Sequence, residues 1–429
     1  MCGINGFNFK SKEIAKKMQS FTKNRGPDFS DIYSSDEITL THDRLSIIDP
    51  SSKANQPFKY KNLVISYNGE VYNFKSLRSE LEKYGYNFKT SSDTEVIILL
   101  FDKFGIESFK KLSGIFSISI WDTDSKCLFL IRDTVGIKPL FYFFDEKLNK
   151  FYFSSSIRSI LINVDKKINK KALVYYQNFG RNDDHETFFK NIYKVKPGEL
   201  IIFQGDKLKK IDFLKYNFVK KKLKNELIKK DIKEAISNQL VSDVPVALSL
   251  SGGVDSNIIY SVMREKLGKK FNIYSYYFKG YDRFNQDYFV AKENTNFFND
   301  KLIPIEVSHE DFSDNLEKVS EILEEPLWSQ GSILNYLMSK KVKEKVLFTG
   351  DGGDEIFTGY DQYRSIYILS MISKLNIFSF IKPKFKNKNL NRIFFKNSLD
   401  FYLSFSEKNL FDKYQKVFNN YKSAKKERD

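Results

Sequence analysis

The sequence has very few cysteines and lacks a long apolar run, and both absences limit the kind of protein it encodes. Only Cys2 and Cys127 occur in 429 residues, so we expect no disulfide framework and a reducing, cytoplasmic location. No stretch approaches the ~18 uncharged apolar residues of a membrane-spanning helix. The N-terminus also lacks a charged region followed by an apolar one, which is the pattern of a signal peptide. We therefore expect a cytoplasmic protein without a membrane partner.

Histidine is scarce, and acidic residues are outnumbered by basic ones. His42, His185 and His309 stand alone, and no His/Cys cluster has metal-ligand spacing, so no structural zinc is expected. The net charge of +16 would suit nucleic acid. The lysines are scattered, however, and no aromatic–basic binding motif accompanies them. We interpret the charge as a solvated basic surface and expect no nucleic-acid partner.

The residue that follows Met1 is the most informative one present. An aminopeptidase normally removes Met before a residue as small as Cys2, which would leave a thiol and a free α-amine on one residue. An α-amine has a reference pKa of about 7.7–8.0, so it can take the thiol proton and later pass it to a leaving amine. Cys127, by contrast, lies in an alternating strand pattern and is expected in the core.

The first half of the chain is rich in strand-like runs. A chain of 429 residues suggests two or three domains. Runs of β-branched and aromatic residues predict strands at 63–67, 115–121, 127–132, 140–144 and 151–155. Helical patterns cover 73–84 and 92–104, the second with Ser92 or Asp93 as its cap. This order predicts an α+β domain over residues 2–205, with two antiparallel sheets flanked by helices.

Four short motifs stand out in this half. They are Arg25-Gly26-Pro27-Asp28, Arg44-Leu45-Ser46-Ile47-Ile48-Asp49, Tyr67-Asn68-Gly69-Glu70-Val71-Tyr72-Asn73 and Ser91-Ser92-Asp93-Thr94-Glu95. Taken singly, each is typical of a turn or a helix cap, and Asn68-Gly69 predicts a turn between a strand and a helix. Together with Cys2, the set resembles the glutaminase domain of class II glutamine amidotransferases, which are N-terminal-nucleophile hydrolases.

The resemblance implies a role for each residue of the set. Cys2 would attack the side-chain amide of glutamine, and Asn68 with the Gly69 N–H would form the oxyanion hole. Such donors suit a tetrahedral oxyanion, and a planar guanidinium suits a carboxylate. The implied glutamine pocket consists of Arg44 for the carboxylate, Asp93 for the α-ammonium, and Glu70, Ile47 and Ile48 around them.

Two further details bear on this resemblance. Arg132-Asp133, Gly136 and Lys138-Pro139-Leu140 also fit the later strands of this domain type. One departure is Asn24, which stands where these proteins usually have His before Arg-Gly-Pro-Asp.

A basic stretch at 206–225 predicts a linker, and a second domain over residues 226–429 is expected after it. Helical periodicity at 227–240 precedes an apolar strand at 244–250, which suits a buried parallel sheet. The strand runs into Ser251-Gly252-Gly253-Val254-Asp255-Ser256 and a helix to about residue 266. A helix N-terminus after such a loop suits a phosphate, and Asp255 suits Mg²⁺ bridging phosphates. The loop is not a Walker A motif. It resembles the pyrophosphate-binding loop of ATP pyrophosphatases in an α/β parallel-sheet domain.

A second glycine- and acid-rich turn follows a predicted strand at 345–349. Because ligands bind at the carboxyl ends of parallel strands, the turn 350–360 is a further candidate. With both halves read, the chain resembles glutamine-hydrolysing asparagine synthetases, which are carbon–nitrogen ligases. The implied ATP contacts are Leu250, Ser251, Gly252, Gly253, Asp255, Ser256, Tyr276, Thr349 and Gly350. Asp351 and Asp354, with Asp255, would serve the acyl substrate or the metal, and of the 285–287 segment only Asp287 could supply the acidic residue these enzymes carry there.

The resemblance implies that ammonia from glutamine attacks a carboxylate adenylated by Mg-ATP, with aspartate giving asparagine. Members of the family continue beyond Asp429 with a catalytic lysine segment that 366–429 does not match. We therefore keep two alternatives: a glutaminase with a nucleotide-binding but weak synthetase half, and amidation of another carboxylate such as a surface-polysaccharide sugar acid. A degenerate, non-enzymatic protein is disfavoured by the intact Cys2, Arg44, Asn68 and Asp93. The sequence leaves a homodimer open.

Overall fold

Two antiparallel sheets packed face to face form the first part of the computed structural model. The residues described are 1–179, 182–183, 185–215, 224–327, 329–361 and 363. They divide into two compact units, Met1–Ile168 with Asp184–Thr349, and Asn169–Asp183 with Gly350–Asp429. Within the first unit we call residues 1–168 and 185–215 the sandwich, and residues 224–349 the parallel-sheet domain.

The sandwich consists of twelve strands and four α-helices. Its strands are β1 Gly3–Phe7, β2 Phe29–Ser34, β3 Thr39–Arg44, β4 Phe58–Tyr60, β5 Leu63–Val71, β6 Gly114–Asp122, β7 Cys127–Arg132, β8 Phe141–Asp145, β9 Lys150–Ser154, β10 Ile192–Lys194, β11 Glu199–Gln204 and β12 Lys207–Asp212. Its helices are α1 Lys12–Thr22, α2 Phe74–Lys83, α3 Asp93–Phe104 and α4 Ile157–Leu161. The sheet orders are β10-β8-β9-β1-β3-β2 and β12-β11-β7-β6-β5-β4.

Apolar side chains fill the space between the sheets and cover both outer faces. Ile4 and Leu40 from the first sheet join Val64 and Leu128 from the second in one core. Helices α1 and α4 cover the outer face of the first sheet, and α2 and α3 cover that of the second. The predicted arrangement of two antiparallel sheets between helices is confirmed.

Two local expectations for the sandwich were wrong. Asn68 and Gly69 lie inside β5, which pairs with β6 as far as Val71, and do not form a turn. A Cβ on Gly69 would lie 2.2 Å from the carbonyl oxygen of Ile115, so glycine here permits close approach of β6. The second concerns the predicted linker, because 207–212 is strand β12, paired with β11. Its lysines conceal the strand, since charged residues are common on edge strands.

The parallel-sheet domain alternates strands and helices. Its elements are α6 Asn225–Gln239, β13 Val246–Ser249, α7 Val254–Leu267, β14 Asn272–Phe278, α8 Gln286–Phe297, β15 Leu302–Val307, α9 His309–Leu323, α10 Gly331–Lys341 and β16 Val346–Phe348. The strands are all parallel, in the order β15-β14-β13-β16. The chain thus moves outward from one side of β13 and returns on the other. The predicted α/β parallel sheet is confirmed.

The second unit contains α5, Lys170–Phe179, and α11, Gly353–Phe357. Gly352 precedes α11 with a φ of 94°, a conformation that favours glycine. Residues 364–429, which include the segment compared with the family's lysine region, lie outside the described residues. Among the helices described, none is long and apolar enough to cross a membrane.

Candidate functional site

The structure brings the residues of the predicted glutamine site to one cavity. Its volume is about 510 Å³, including the open mouth. The predicted residues on its wall are Cys2, Arg44, Ile47, Ile48, Asn68, Gly69, Glu70 and Asp93. They come from the start of β1, the end of β3, the end of β5 and the start of α3, so the sandwich supplies the whole set.

The Cys2 thiol lies on the cavity wall with its surroundings fixed. The Leu45 N–H donates to Cys2 Sγ at 3.4 Å, and Arg25 Nε donates to the Cys2 carbonyl at 3.0 Å. Burial raises the pKa of the Cys2 thiol, so its neutral form prevails and a base is needed. The α-amine of Met1 lies at the same cavity, and burial lowers its pKa to about 6. The Met1 amine is therefore largely unprotonated near neutral pH, and the α-amine that removal of Met1 would leave on Cys2 is the candidate base.

Asn68 carries an uncommitted amide on the cavity wall. The residue is 1% exposed, and neither Nδ2 nor Oδ1 has a hydrogen-bond partner within the described residues. Its backbone is held in β5 opposite Ser117. A buried unpaired amide is costly, so Asn68 is poised to bind a ligand group that enters the cavity. Gly69 beside it has no side chain to block its own N–H.

Two carboxyl groups give the cavity its negative side. Asp93 opens α3 and accepts hydrogen bonds from Tyr67 Oη at 2.9 Å and from the Val71 N–H at 3.1 Å. Ser92 caps the helix, accepting from the Thr94 N–H at 3.1 Å. Burial raises the pKa of Asp93, and burial with the nearby Asp93 raises the pKa of Glu70 to about 7. A bound cation such as an α-ammonium would relieve both groups.

Arg44 shapes the loop that follows β3 as well as facing the cavity. Nη1 donates to the Ser51 carbonyl at 2.8 Å and to Asn55 Oδ1 at 2.7 Å. Nη2 donates to the carbonyls of Ile48, at 3.2 Å, and Asp49. A guanidinium has five N–H groups, so these bonds leave one. A carboxylate would therefore meet the charge of Arg44 and a single remaining N–H.

Two further cavity residues were missed from the sequence. Gln56 accepts from the Tyr67 N–H at 2.7 Å and donates to Thr94 Oγ1 at 3.0 Å; no local pattern marks it. Lys138 is 9% exposed, and burial lowers its pKa. The sequence did contain a signal for Lys138, in the 132–140 motif.

That motif is a support for Lys138. Arg132 Nε donates to the Lys138 carbonyl at 2.7 Å. Asp133 accepts from the Lys138 N–H at 3.0 Å and from the Ile137 N–H at 2.9 Å. The Arg132-Asp133 pair therefore fixes the loop that carries a buried cation to the cavity.

The loop 251–256 lies at the carboxyl end of β13, between the neighbouring strands β14 and β16. Because the chain reverses its direction of travel across the sheet at β13, this is a topological switch point, where α/β sheets bind ligands. Ser256 Oγ accepts from the Ser251 N–H at 3.1 Å, and Asn257 Nδ2 donates to the Gly253 carbonyl at 2.7 Å. A Cβ on Gly252 would lie 2.9 Å from Asp287 Oδ1, so the Asp287 carboxylate lies against the loop.

The remaining predicted ATP contacts lie on several different elements. Leu250 is buried, and its N–H donates to the Tyr274 carbonyl at 2.8 Å. Tyr276 lies in the adjacent β14, where its Oη donates to Asn335 Oδ1 at 3.3 Å. Thr349 directly follows β16. Gly350, Asp351 and Asp354 belong to the second unit, in which the Gly359 N–H donates to the Asp354 carbonyl at 2.9 Å.

The carboxylates beside the loop fit a metal held mainly by a nucleotide. Among the described residues, no group of three or more His, Cys, Asp or Glu side chains could hold a metal ion by itself. Mg²⁺ usually takes one or two carboxylates together with substrate phosphates. Asp255, in the first turn of α7, and Asp287 are a donor set of that kind.

Comparison with known proteins identifies both halves. A glutamine amidotransferase domain model matches residues 1–216, and an asparagine synthase model matches residues 227–426. A provisionally named glutamine-hydrolysing asparagine synthetase 2 of Methanocaldococcus jannaschii is 33% identical, with 87% of this chain and 78% of the relative covered.

Two bacterial relatives give the same match. Glutamine-hydrolysing asparagine synthetase 1 of Bacillus subtilis is 32% identical, with 85% of this chain and 60% of the relative covered. Asparagine synthetase B of Escherichia coli, also named as glutamine-hydrolysing, is 29% identical, with 84% and 65% covered. The chain therefore spans less than two thirds of the length of these two relatives.

Proposed function

The chain belongs to the family of the glutamine-hydrolysing asparagine synthetases, and from that premise we propose that it hydrolyses glutamine at Cys2 and transfers the ammonia to a carboxylate activated by ATP. The family predicted from the sequence, and with it a carbon–nitrogen ligase of the asparagine synthase class, is confirmed. The two matched domains are those of ATP-dependent, glutamine-hydrolysing amidation. Apart from the stretch 207–212, which is β12, the domain boundaries stay predictions, as do the role of each site residue, the acceptor and a homodimer.

The observation that carries the glutaminase half is the unpaired Asn68 amide in the cavity of the Cys2 thiol. Once Met1 is removed, the α-amine of Cys2 takes the thiol proton and the thiolate attacks the amide carbon of glutamine. Asn68 Nδ2 and the Gly69 N–H then donate to the oxyanion. The C–N bond breaks, the α-ammonium returns the proton to the leaving amine, and water hydrolyses the thioester to glutamate.

The substrate's two charged ends match the two sides of the cavity. Asp93 and Glu70 face the α-ammonium, and Arg44 faces the α-carboxylate with its charge and remaining N–H. Ile47 and Ile48 line the aliphatic part. Arg44 additionally keeps the loop after β3 in place, so it contributes to the shape of the pocket as well as to its charge.

The synthetase half rests on the loop 251–256 at the switch point of the parallel sheet. We assign Ser251, Gly252 and Gly253 and the start of α7 to the ATP phosphates. The Ser251 and Gly253 N–H groups donate to Ser256 Oγ and Ser251 Oγ in this structure, so they would exchange these hydroxyl partners for phosphate oxygens. Leu250, Ser256, Tyr276, Thr349 and Gly350 would complete the nucleotide contacts. Asp255, with Asp287, would hold Mg²⁺, which supplies positive charge to the leaving pyrophosphate. The acceptor carboxylate displaces pyrophosphate from the α-phosphate, and ammonia then displaces AMP.

Aspartate is the acceptor we propose, with Asp351 and Asp354 serving it or the metal. Another carboxylate, such as a surface-polysaccharide sugar acid, is the alternative. We place the reaction in the cytoplasm, because two cysteines held as free thiols suit a reducing compartment.

Product analysis tests the proposal directly. The purified chain is incubated with glutamine, Mg-ATP and a panel of carboxylates that includes aspartate. We expect glutamate, AMP, pyrophosphate and asparagine in the aspartate reaction. Glutamate without any ATP-dependent amide would favour the weak-synthetase alternative. An amide formed from another carboxylate would identify that carboxylate as the acceptor in place of aspartate. The absence of glutamate would refute the glutaminase assignment.

A further inference from the structure

The segment 44–51 forms one wall of the glutamine cavity, and residues of the parallel-sheet domain hold it from outside the sandwich. It presents the Leu45 N–H to Cys2 Sγ at 3.4 Å and places Ile47 and Ile48 on the cavity wall. Two contacts from the parallel-sheet domain reach this segment. One arrives through Asp28 and the other directly at Ile47 and Asp49.

The first contact links Lys345 to the backbone beside the thiol. Lys345 Nζ lies 2.6 Å from Asp28 Oδ2, and the same oxygen accepts from the Ser46 N–H at 2.7 Å. Ser46 follows Leu45, whose N–H contacts Cys2. Partial burial alone would raise the pKa of Asp28, but the Lys345 ammonium and the Ser46 N–H hold it below its usual value. Asp28 is therefore an anion that joins a lysine of one domain to the thiol-binding backbone of the other.

The second contact is a pair of hydrogen bonds from Asp243. Its N–H donates to the Ile47 carbonyl at 3.2 Å, and its Oδ2 accepts from the Asp49 N–H at 2.8 Å. The Asp49 carboxylate in turn accepts from the N–H groups of Ser51, at 3.1 Å, and Ser91, at 2.8 Å. Asp243 thus fixes both sides of Ile48, a buried residue of the cavity wall.

Both contacts come from residues at the amino ends of two adjacent parallel strands. Asp243 precedes β13 and Lys345 precedes β16, and these strands are hydrogen-bonded neighbours with Val246 opposite Val346. Their carboxyl ends lead to the loop 251–256 and to Thr349. One pair of adjacent strands therefore contacts the glutamine pocket at one end and carries the proposed nucleotide site at the other.

We propose that Lys345 and Asp243 are positioning residues for glutamine hydrolysis, which hold the segment 44–51 in its reactive geometry from the synthetase half. This inference rests on the proposed glutaminase function. It goes beyond that function by making the glutamine pocket a structure of two domains, in which residues without contact to glutamine set the rate at Cys2.

Kinetics of the full chain test the proposal. In Lys345→Met we expect kcat/KM for glutamine to fall about five- to tenfold, which lies within the range by which a single residue modulates the coupling of distant sites. Lys345→Arg should keep at least half of the wild-type value. The double variant Lys345→Met, Asp28→Asn should be no worse than the more damaged single variant, because both changes break one link.

A matched control comes from another ion pair between the same two domains. Arg158 Nη1 lies 2.7 Å from Glu321 Oε1, and the two side chains are 32% and 50% exposed, against 38% and 27% for Lys345 and Asp28. This pair makes no contact with the segment 44–51 among those described. Glu321→Gln should leave kcat/KM unchanged. An equal loss in both variants would show a general effect of the interface and overturn the proposal.

A second measurement does not depend on activity. The rate of Cys2 alkylation by iodoacetamide is followed against pH by mass spectrometry, with buried Cys127 as the internal reference. Loss of the Leu45 N–H from Sγ should move the alkylation midpoint of Lys345→Met to higher pH, while Glu321→Gln keeps the wild-type midpoint. If Lys345→Met keeps both the wild-type kcat/KM and the wild-type midpoint, the proposal is wrong. A wild-type chain without glutaminase activity would refute the proposed function, and the midpoints would still decide the positioning role.

Discussion

The two candidate sites of the first unit differ most in the burial and the hydrogen bonding of their polar groups. Around Cys2 the polar groups are buried and most have fixed partners, with Asn68 1% exposed and Asp93 4% exposed. At the loop 251–256 the backbone is open, and Val254 at the start of α7 is 74% exposed. The first site is a buried cavity, and the second is an exposed loop at the carboxyl end of β13.

The difference follows from the chemistry each site is proposed to perform. An oxyanion exists only briefly, so its donors must be oriented in advance by a rigid frame. Phosphates bring their own charge and many acceptors, so a loop at a helix N-terminus can exchange the serine hydroxyls that its N–H groups contact for phosphate oxygens. The comparison therefore predicts that the glutamine cavity is sensitive to single atoms, whereas the loop depends on its ligand.

The largest expected effect is the loss of the nucleophile. Cys2→Ala should lower glutamine hydrolysis by about 10⁴-fold or more, because the thiol proposed to form the acyl-enzyme is lost. Ammonia-supported amide formation should survive, which separates the two sites. Glutamate release by a coupled assay is the measurement, with Cys127→Ala as the control expected to match wild type. Hydrolysis at the wild-type rate in Cys2→Ala would remove Cys2 from the mechanism.

Loss of the proposed metal-binding carboxylate should impair the nucleotide site and leave the glutamine site largely active. Asp255→Asn should cut pyrophosphate release by about 10²–10³-fold, since a charge clamp on phosphate contributes several kcal/mol. Glutaminase turnover should change much less. Glu265→Gln is the matched control, because Glu265 lies on the same helix in an exposed ion pair with Lys233. Equal pyrophosphate release from Asp255→Asn and wild type would rule out the loop as the reactive site.

Removal of the uncommitted amide tests pre-organisation of the cavity. Asn68→Ala should lower kcat for glutamine by about 10²–10³-fold with a smaller change in KM, as expected when an oxyanion donor is lost. Asn62→Ala is the control, because Asn62 lies just before β5 and bonds Asp122 away from the cavity. A change confined to KM would mean that Asn68 binds ground-state glutamine instead.

The smallest expected effect is a pH dependence from Glu70. Its pKa is about 7 in the folded protein against an ordinary 4.5, so the carboxyl loses its charge as pH falls through 7. If it faces the α-ammonium, KM for glutamine should rise about five- to tenfold between pH 8 and pH 6. Glu70→Gln should flatten this profile. A wild-type KM that is constant over this range would separate Glu70 from substrate binding.

Ionisation of Glu70 should affect the stability of the ligand-free protein in the direction opposite to its effect on glutamine binding. A carboxyl whose pKa is raised by folding binds its proton more tightly in the native state, so stability is greatest below pH 4.5 for this group and is lost as pH rises through 7. Above pH 7 the ionised Glu70 therefore favours glutamine binding but lowers the free energy of unfolding of the ligand-free protein.

Much of the candidate glutamine site could be read from short motifs, because these motifs place Arg44 and Asn68 towards strand ends and Asp93 at a helix start. The backbone conformation could not be read in the same way: Asn-Gly usually forms a turn, and only the β6 strand opposite it makes it part of β5. Gln56 and the Lys345–Asp28 link depend on contacts between distant segments, which no local pattern reveals. The lysines of β12 concealed a strand for the same reason, since pairing with β11 decides its conformation.

The unpaired amide of Asn68 also has a consequence for the stability of the fold and for the abundance of the protein in a cell. A buried amide without a protein partner destabilises a fold by about 1–3 kcal/mol, so Asn68 makes this protein less stable than its packing alone would. Asn68→Leu should then melt at a higher temperature than wild type while losing activity, as expected where activity and stability conflict. In a cell that degrades unfolded chains, the abundance of the enzyme would follow its supply of glutamine.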